Sequence, residues 1–375
     1  GDTRSSSERN NNCLISINLK NSGVQVIGSL PWYLAENPKK NGRSYNSFKE
    51  GLGYPSDQLC MEHVVQPLHP DEKKLFQSPN GEFIRIEKWK GLKFIECDYQ
   101  WYDDIKSVRF GRLFKKSQTI DLHYLPYTLR EFSAAKCHFK SFGDLTALPH
   151  FLNELDLSRN PVNGHLDLSS LPEGLHMLTV SHCGLIGNFP LESLPKNLEV
   201  LNISHNHWSG SFDFTKLPKS LRTLEIQNNE FIGHADLSQL PERLTHIDIS
   251  NNHFEGNFDI RQLPKKFLTH VNISNNKFSG NLSLSELPSH IAHFDASENS
   301  MSGAVSLEDA PHSIYHLTVD SGTYKDERDL SAGSQTAHGK PVMFHLNLKG
   351  SGVELTGNRP SYLQEYTHRR KSRRS

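Results

Sequence analysis

The sequence predicts an α/β-class solenoid, mostly β with little helix. About nine units of 23 residues would stack so that their strands form one parallel concave sheet between irregular flanks. Three observations predict it. Proline recurs at Pro126, Pro149, Pro172, Pro195, Pro218, Pro241, Pro264, Pro288 and Pro311, 23 residues apart except for one step of 24. Eleven residues after each Pro from Pro126 to Pro288, or twelve after Pro264, stands Cys137, Asn160, Cys183, Asn206, Asn229, Asn252, Asn276 or Asn299. Between Pro and this slot the apolar residues alternate, as in Leu152, Leu155, Leu157 and again in Leu221, Leu224, Ile226.

Each element of the unit follows from these positions. Alternation with period two marks a short strand with one buried face. A single unit cannot bury that face, so stacking must hide it. The small polar residue at the strand's end is placed to bond backbone groups of adjacent turns that burial would otherwise strand, which makes Cys137 to Asn299 a structural ladder. Most units carry a glycine four residues later, from Gly164 to Gly303. The remaining piece holds Leu122, Leu145, Leu168, Phe214, Leu237, Ile260, Leu284 and Leu307, usually after an Asp such as Asp121, Asp213 or Asp259. It reads as extended convex-side structure with a tight turn, because no helical period fits so few residues before Pro closes the unit.

The pattern L-x-x-L-x-L-x-x-N, with Cys as the alternative at the Asn slot, resembles the leucine-rich repeat family over residues 118–320. The likeness is to a Leu-Pro-containing 23-residue subtype found in repeat proteins of unicellular eukaryotes. The resemblance implies a horseshoe and a binding role, and it leaves the partner unnamed.

Function should lie on the outward strand positions. Down the stack, one such row reads Glu131, Glu154, Met177, Val200, Thr223, His246, His270, His293, His316. The next reads Ser133, Asp156, Thr179, Asn202, Glu225, Asp248, Asn272, Asp295, Thr318, and a third is small, chiefly Ser158, Ser181, Ser204, Ser250, Ser274 and Ser297. Strands about 4.8 Å apart would set the four histidines in a ladder beside an Asp/Asn ladder. The expected partner-binding set is Glu225, His246, Asp248, His270, Asn272, His293, Asp295 and His316. A linear ladder spreads its nitrogens instead of converging them at about 2.0–2.2 Å, so no metal is expected there.

The repeat region carries 13 Lys and Arg against 23 Asp and Glu, whereas the whole chain has a net charge of −1, so the flanks are basic. Arg369, Arg370, Lys371, Arg373 and Arg374 close the sequence as a basic tail, a candidate nucleic-acid or nuclear-localisation patch. Residues 1–49 form one flank, 50–117 a cap, 118–320 the repeats, 321–342 a linker and 343–375 a C-terminal segment. Within 50–117, alternation around Lys90-Gly91 suggests a hairpin with Trp89, Trp101 and Phe110 as its core. Cys60 and His63 with His69 have weak zinc-type spacing but lack a second ligand pair. Residues 14–34 and 343–363 are alike, sharing Asn18, Lys20, Ser22, Gly23, Val24, Gly28, Pro31, Tyr33 and Leu34 with the later copy. They are either matching end caps or the marks of one period in a longer tandem array.

Five scattered cysteines suit a reducing compartment better than a disulfide framework, although Asn202, Asn272 and Asn281 head glycosylation triplets. No apolar run is long enough to span a membrane. Nucleophile-elbow, phosphate-loop, dinucleotide-turn and zinc-protease motifs are missing, and Ser204, His205 and His207 are brought near one another only by repeat phase. The sequence therefore predicts a non-enzymatic, cofactor-free intracellular scaffold that holds a protein partner on its concave face. The alternatives are a nucleic-acid-associated subunit anchored by its basic ends and a cell-surface recognition protein.

Overall fold

The computed structural model describes residues 56–95, 104–302, 304–306, 314–320, 342–347, 349–351 and 353–356. Three-residue strands at Glu131–Ser133, Glu154–Asp156, Met177–Thr179, Val200–Asn202, Thr223–Glu225, His246–Asp248, His270–Asn272 and His293–Asp295 pair in parallel, each with the next. Every pairing keeps one register, so Phe132, Leu155, Leu178, Leu201, Leu224, Ile247, Val271 and Phe294 form a single buried row. The chain thus folds as a leucine-rich-repeat horseshoe.

The ladder residues bond backbone groups of adjacent turns. Asn206 is buried; its Oδ1 accepts from the Cys183 and Leu185 amides at 2.9 and 3.1 Å. Its Nδ2 donates to the Val180 and Ile203 carbonyls at 2.8 and 2.9 Å. Asn160 repeats the pattern with Cys137, Phe139, Ala134 and Leu157. Asn229, Asn252, Asn276 and Asn299 carry it onward, each joining its own turn to the one before. At Cys183 the thiol donates to the Leu157 and Ser181 carbonyls at 3.3 Å each, and burial pushes its pKa up to about 11. The Cys137 thiol is likewise buried and raised.

The rest of the unit departs from the sequence expectation. Instead of extended convex structure, Phe214, Ile260 and Leu284 each open a three-residue 3₁₀ turn, as do Leu122 and Leu191. Asp213 and Asp259 cap theirs by accepting from the amide two residues on, which satisfies an orphan donor in very few residues. Such a turn needs only three residues, so the absence of a helical period did not exclude it. Extended structure lies instead on the flank, where Ile186–Asn188, His207–Ser211, Glu230–His234, His253–Asn257 and Lys277–Ser279 form a second parallel sheet.

At the N-terminal end, Ile105–Arg109 joins the concave sheet in parallel with Glu131–Ser133, and Leu92–Phe94 lies antiparallel outside it. No strand pair forms around Lys90-Gly91, since residues 86–88 form a 3₁₀ turn; the antiparallel pair is Leu92–Phe94 with Ile105–Arg109, on either side of residues 96–103. Trp89 packs on Phe76 at 4.4 Å, and Phe110 packs on Phe114 at 5.4 Å; Trp101 lies outside the described residues. An α-helix, Asp57–Val65, covers this end and carries Cys60 inward. His63 stacks on Tyr124 at 5.0 Å and His69 caps a following turn through Asp71, so these residues serve packing and capping.

At the C-terminal end the order breaks. The strand beside His293–Asp295 is Val342–Asn347, and Ile314–Asp320, earlier in the chain, lies outside it. Val342, assigned to the linker by its sequence, is therefore the first residue of a strand.

Candidate binding surface on the concave sheet

Each concave strand buries its middle residue and leaves its two outer residues half-exposed, so the outward rows are built by the three-residue strands themselves. His246, His270 and His293 stand in register. Their ring centres are 5.2 and 6.2 Å apart. His316 does not continue this ladder: its backbone pairs with Met343, and His345 holds the register position beside His293. The row expected to hold four sequential histidines is thus interrupted by a strand from farther along the chain.

Burial drives His246 toward its neutral form, opposed by Asp248, and burial with the neighbouring His246 does the same for His270. At neutral pH these rings therefore present one N–H and one lone pair each. Glu225 is shifted the opposite way: burial and then the Asp248 charge raise its carboxyl, while an Asn202 amide hydrogen bond counters them.

The Asp/Asn row is partly committed. Asp248 Oδ1 accepts from the Ser250 amide at 3.0 Å and from its hydroxyl at 2.6 Å, and its Oδ2 accepts from Asn272 Nδ2 at 3.2 Å. Asn272 and Asp295 receive Ser274 and Ser297 in the same way. The third row is consequently not outward. Ser158, Ser181, Ser204, Ser250 and Ser297 are buried at the strand ends, where the chain turns. Ser204, His205 and His207 also part company: Ser204 bonds Asn202, His205 lies in the turn, and His207 opens a flank strand beside Glu230.

The sequence reading missed a fourth row. Lys136, Arg159, His182, His205, Asn228, Asn251, Asn275 and Glu298 all take left-handed backbone angles, with φ between 50° and 58°. They stand just before the ladder slot in every unit, a fixed phase that would have revealed them. The His182 and His205 rings stack at 3.9 Å with 9° between planes. At the N-terminal end of the concave face, Arg109 already grips Glu131 at 2.7 Å and lies 3.8 Å from Glu154. The basic tail lies outside the described residues. Among the described residues no helix is long and apolar enough to cross a membrane, and no cluster of three or more metal-ligating side chains occurs.

A scan of protein-family models and a search of curated proteins found no match. Solved structures do resemble the chain. The ectodomain of the receptor kinase GASSHO1/SCHENGEN3 from Arabidopsis thaliana, in complex with CASPARIAN STRIP INTEGRITY FACTOR 2, aligns over 83% of this chain and 40% of its own, with 16% identity and a TM-score of 0.53. The Arabidopsis receptor kinase HAESA, with the peptide hormone IDA and SERK1, aligns over 67% and 47%, with 22% identity and a TM-score of 0.48. A TDR receptor aligns over 66% and 39%, with 22% identity and a TM-score of 0.47. The chain spans less than half the length of these structures, and at such identities the first likeness speaks for fold alone. With the repeat register and the asparagine ladder, it shows that the chain is a leucine-rich-repeat solenoid.

Proposed function

We propose that the C-terminal half of the concave sheet binds a protein partner, through an extended segment laid across His246, Asp248, His270, Asn272, His293, Asp295 and Glu225. The observation that carries this reading is the contrast along one row: Glu131 and Glu154 are held by Arg109, whereas His246, His270 and His293 stand in register and partly exposed, the first two driven toward their neutral form by burial. Neutral rings and fixed amides offer alternating donors and acceptors at strand spacing, which suits the repeating N–H and C=O groups of a peptide. The GASSHO1/SCHENGEN3 ectodomain above was solved in complex with CASPARIAN STRIP INTEGRITY FACTOR 2, which agrees with such a use of this fold. The described residues carry no constellation that argues for an enzyme.

The test is affinity capture with the full chain and with a His246→Ala, His270→Ala, His293→Ala variant. Loss of the same captured protein, with the unfolding midpoint unchanged, supports the reading. Undiminished capture overturns it. A second variant, Glu131→Ala with Glu154→Ala, should capture as the wild type does.

The cell-surface alternative has one observation of its own. Asn281 is exposed, whereas the Asn202 and Asn272 amides bond Glu225 and Asp248. If the chain is displayed outside the cell, glycan should therefore sit on Asn281 and spare the other two; unmodified Asn281 from native material favours the intracellular reading. The nucleic-acid alternative predicts RNA affinity that falls steeply between about 50 and 200 mM salt and depends on residues 367–375.

A further inference from the structure

The out-of-order strand at the C-terminal end is more than an edge cover, because the segment around it supplies the concave strand, the ladder slot and the flank strand of a repeat unit. Its register matches that of the true repeats: His345 against His293, Leu346 against Phe294, Asn347 against Asp295. Five residues after His345, Gly350 takes a left-handed φ of 63°, the conformation Glu298 adopts five residues after His293. Ser351 is fully buried in the ladder slot, and Val353 packs against the core. Glu354–Thr356 pairs with Ala304–Ser306 on the flank, and the Glu298 amide bonds the Lys349 carbonyl at 2.7 Å. The stack thus accepts a unit that the chain does not supply in sequence order.

The sequence contains a second segment that meets the same demands. Aligned with residues 343–357, residues 14–28 place Ile17 where Leu346 stands, and Leu19 where Leu348 stands. Asn18, Ser22, Val24 and Gly28 match Asn347, Ser351, Val353 and Gly357 outright. The left-handed position, Gly350 in the docked unit, becomes Asn21. Asparagine tolerates that conformation and holds it at Asn228, Asn251 and Asn275 of the true repeats.

We propose that residues 14–28 of a second copy of this chain are the alternative occupant of the position held by residues 342–356. Copies then join head to tail, each lending its first segment to the C-terminal end of the preceding stack. Parallel backbone pairing supplies the affinity, and the apolar positions at Ile17, Leu19 and Val24 supply the selectivity. The two partners use different surfaces, so the contact is heterologous and builds rings or open filaments instead of a symmetric dimer. Within one molecule, residues 342–356 reach the site through the 21 residues after Asp320, at an effective concentration of order millimolar. The closed form therefore prevails at low protein concentration, and exchange follows when that unit is released.

The test uses the full chain with Leu346→Asp, which sets a charge at the register position of buried Phe294. Sedimentation velocity from about 1 to 100 µM should show wild type monomeric at the low end, and L346D forming oligomers that grow with concentration. Adding Ile17→Asp should return L346D to monomer. A second releasing variant, Gly350→Val, strains the left-handed position without adding a charge and should behave as L346D does. A labelled peptide of residues 13–30 should bind both variants at least tenfold more tightly than wild type. Monomeric L346D and G350V throughout that range, oligomers indifferent to I17D, or a monomer in which its own residues 14–28 become protected from hydrogen exchange would each overturn the proposal. So would unfolding of both variants, since residues 342–356 would then be integral instead of exchangeable.

Discussion

The chain uses the same polar side chains in two places for opposite ends. In the ladder, Asn206 is buried and gives every polar atom a backbone partner. On the concave sheet, Asn272 and Asp248 each spend one oxygen on a serine turn and bond each other through Nδ2 and Oδ2, yet both side chains stay partly exposed. Burial and bonding partner, not residue type, separate the two. A buried amide bonded only to backbone specifies the fold, whereas a partly exposed one bonded to its side-chain neighbours can still meet solvent.

The largest effect should come from breaking the buried row. Asn206→Ala leaves two amide donors and two carbonyls of adjacent turns without partners, at about 1–3 kcal/mol for each unsatisfied group. We expect a loss of at least ~3 kcal/mol in denaturant unfolding; a loss below ~1 would show that water replaces the amide and that the contrast is weaker than the geometry implies. Asn272→Ala, by comparison, should cost about 1 kcal/mol or less, because its partners reach solvent.

Smaller than the ladder loss, but still decisive for the turn, is Gly280→Val. Gly280 has φ +114°, and a Cβ there would press on Asn257 and on the Phe258 carbonyl at 3.0 Å. A destabilisation of about 2 kcal/mol is expected from strain and steric conflict; an unchanged midpoint would mean that the flank bends freely.

The pH dependence sharpens the comparison further. Burial lowers the His246 and His270 pKa values below the ordinary 6.5, so the fold favours the neutral rings. The unfolded chain then binds protons first as pH falls. Stability from these rings is whole above about pH 6.5 and is lost as the pH drops through that value toward the lower folded pKa. Replacing both by Gln should flatten the slope between pH 7 and pH 5 in thermal unfolding. Glu225 acts in the reverse sense: its raised carboxyl lets stability fall as pH rises from the unfolded value through the folded one.

The least perturbing probes are chemical and superficial. Cys183, buried with its pKa near 11, should resist alkylation in the native protein at pH 8 and react on unfolding. The exposed Arg222–Glu199 pair, at 3.0 Å, should contribute under about 1 kcal/mol in a double-mutant cycle.

Much of this architecture was legible in the sequence because it is local and repeated. The Pro-to-Asn spacing placed every strand from Glu131 to Asp295, and the Asn or Cys slot announced its role through the burial that a stack imposes. Three features were not legible. The 3₁₀ turns after Asp213 and Asp259 are too short to leave a period. The serine row after Asp248 and Asp295 alternates like an outward row, but the chain bends at the strand's end and turns it inward. The place of Val342–Asn347 is non-local: any strand with the right alternation can pair with an open edge, and His316 yields its expected position to that competition.

The account rests on the half-exposed histidine rows being the gripping surface while the asparagine ladder merely holds the units together. Amide hydrogen exchange on the full chain, with and without its captured protein partner, tests this most directly. We predict that added protection concentrates in His246–Asp248, His270–Asn272 and His293–Asp295, with little change in the N-terminal concave strands. Protection confined to the flank sheet or to the strands from Glu131 to Thr179 would contradict it.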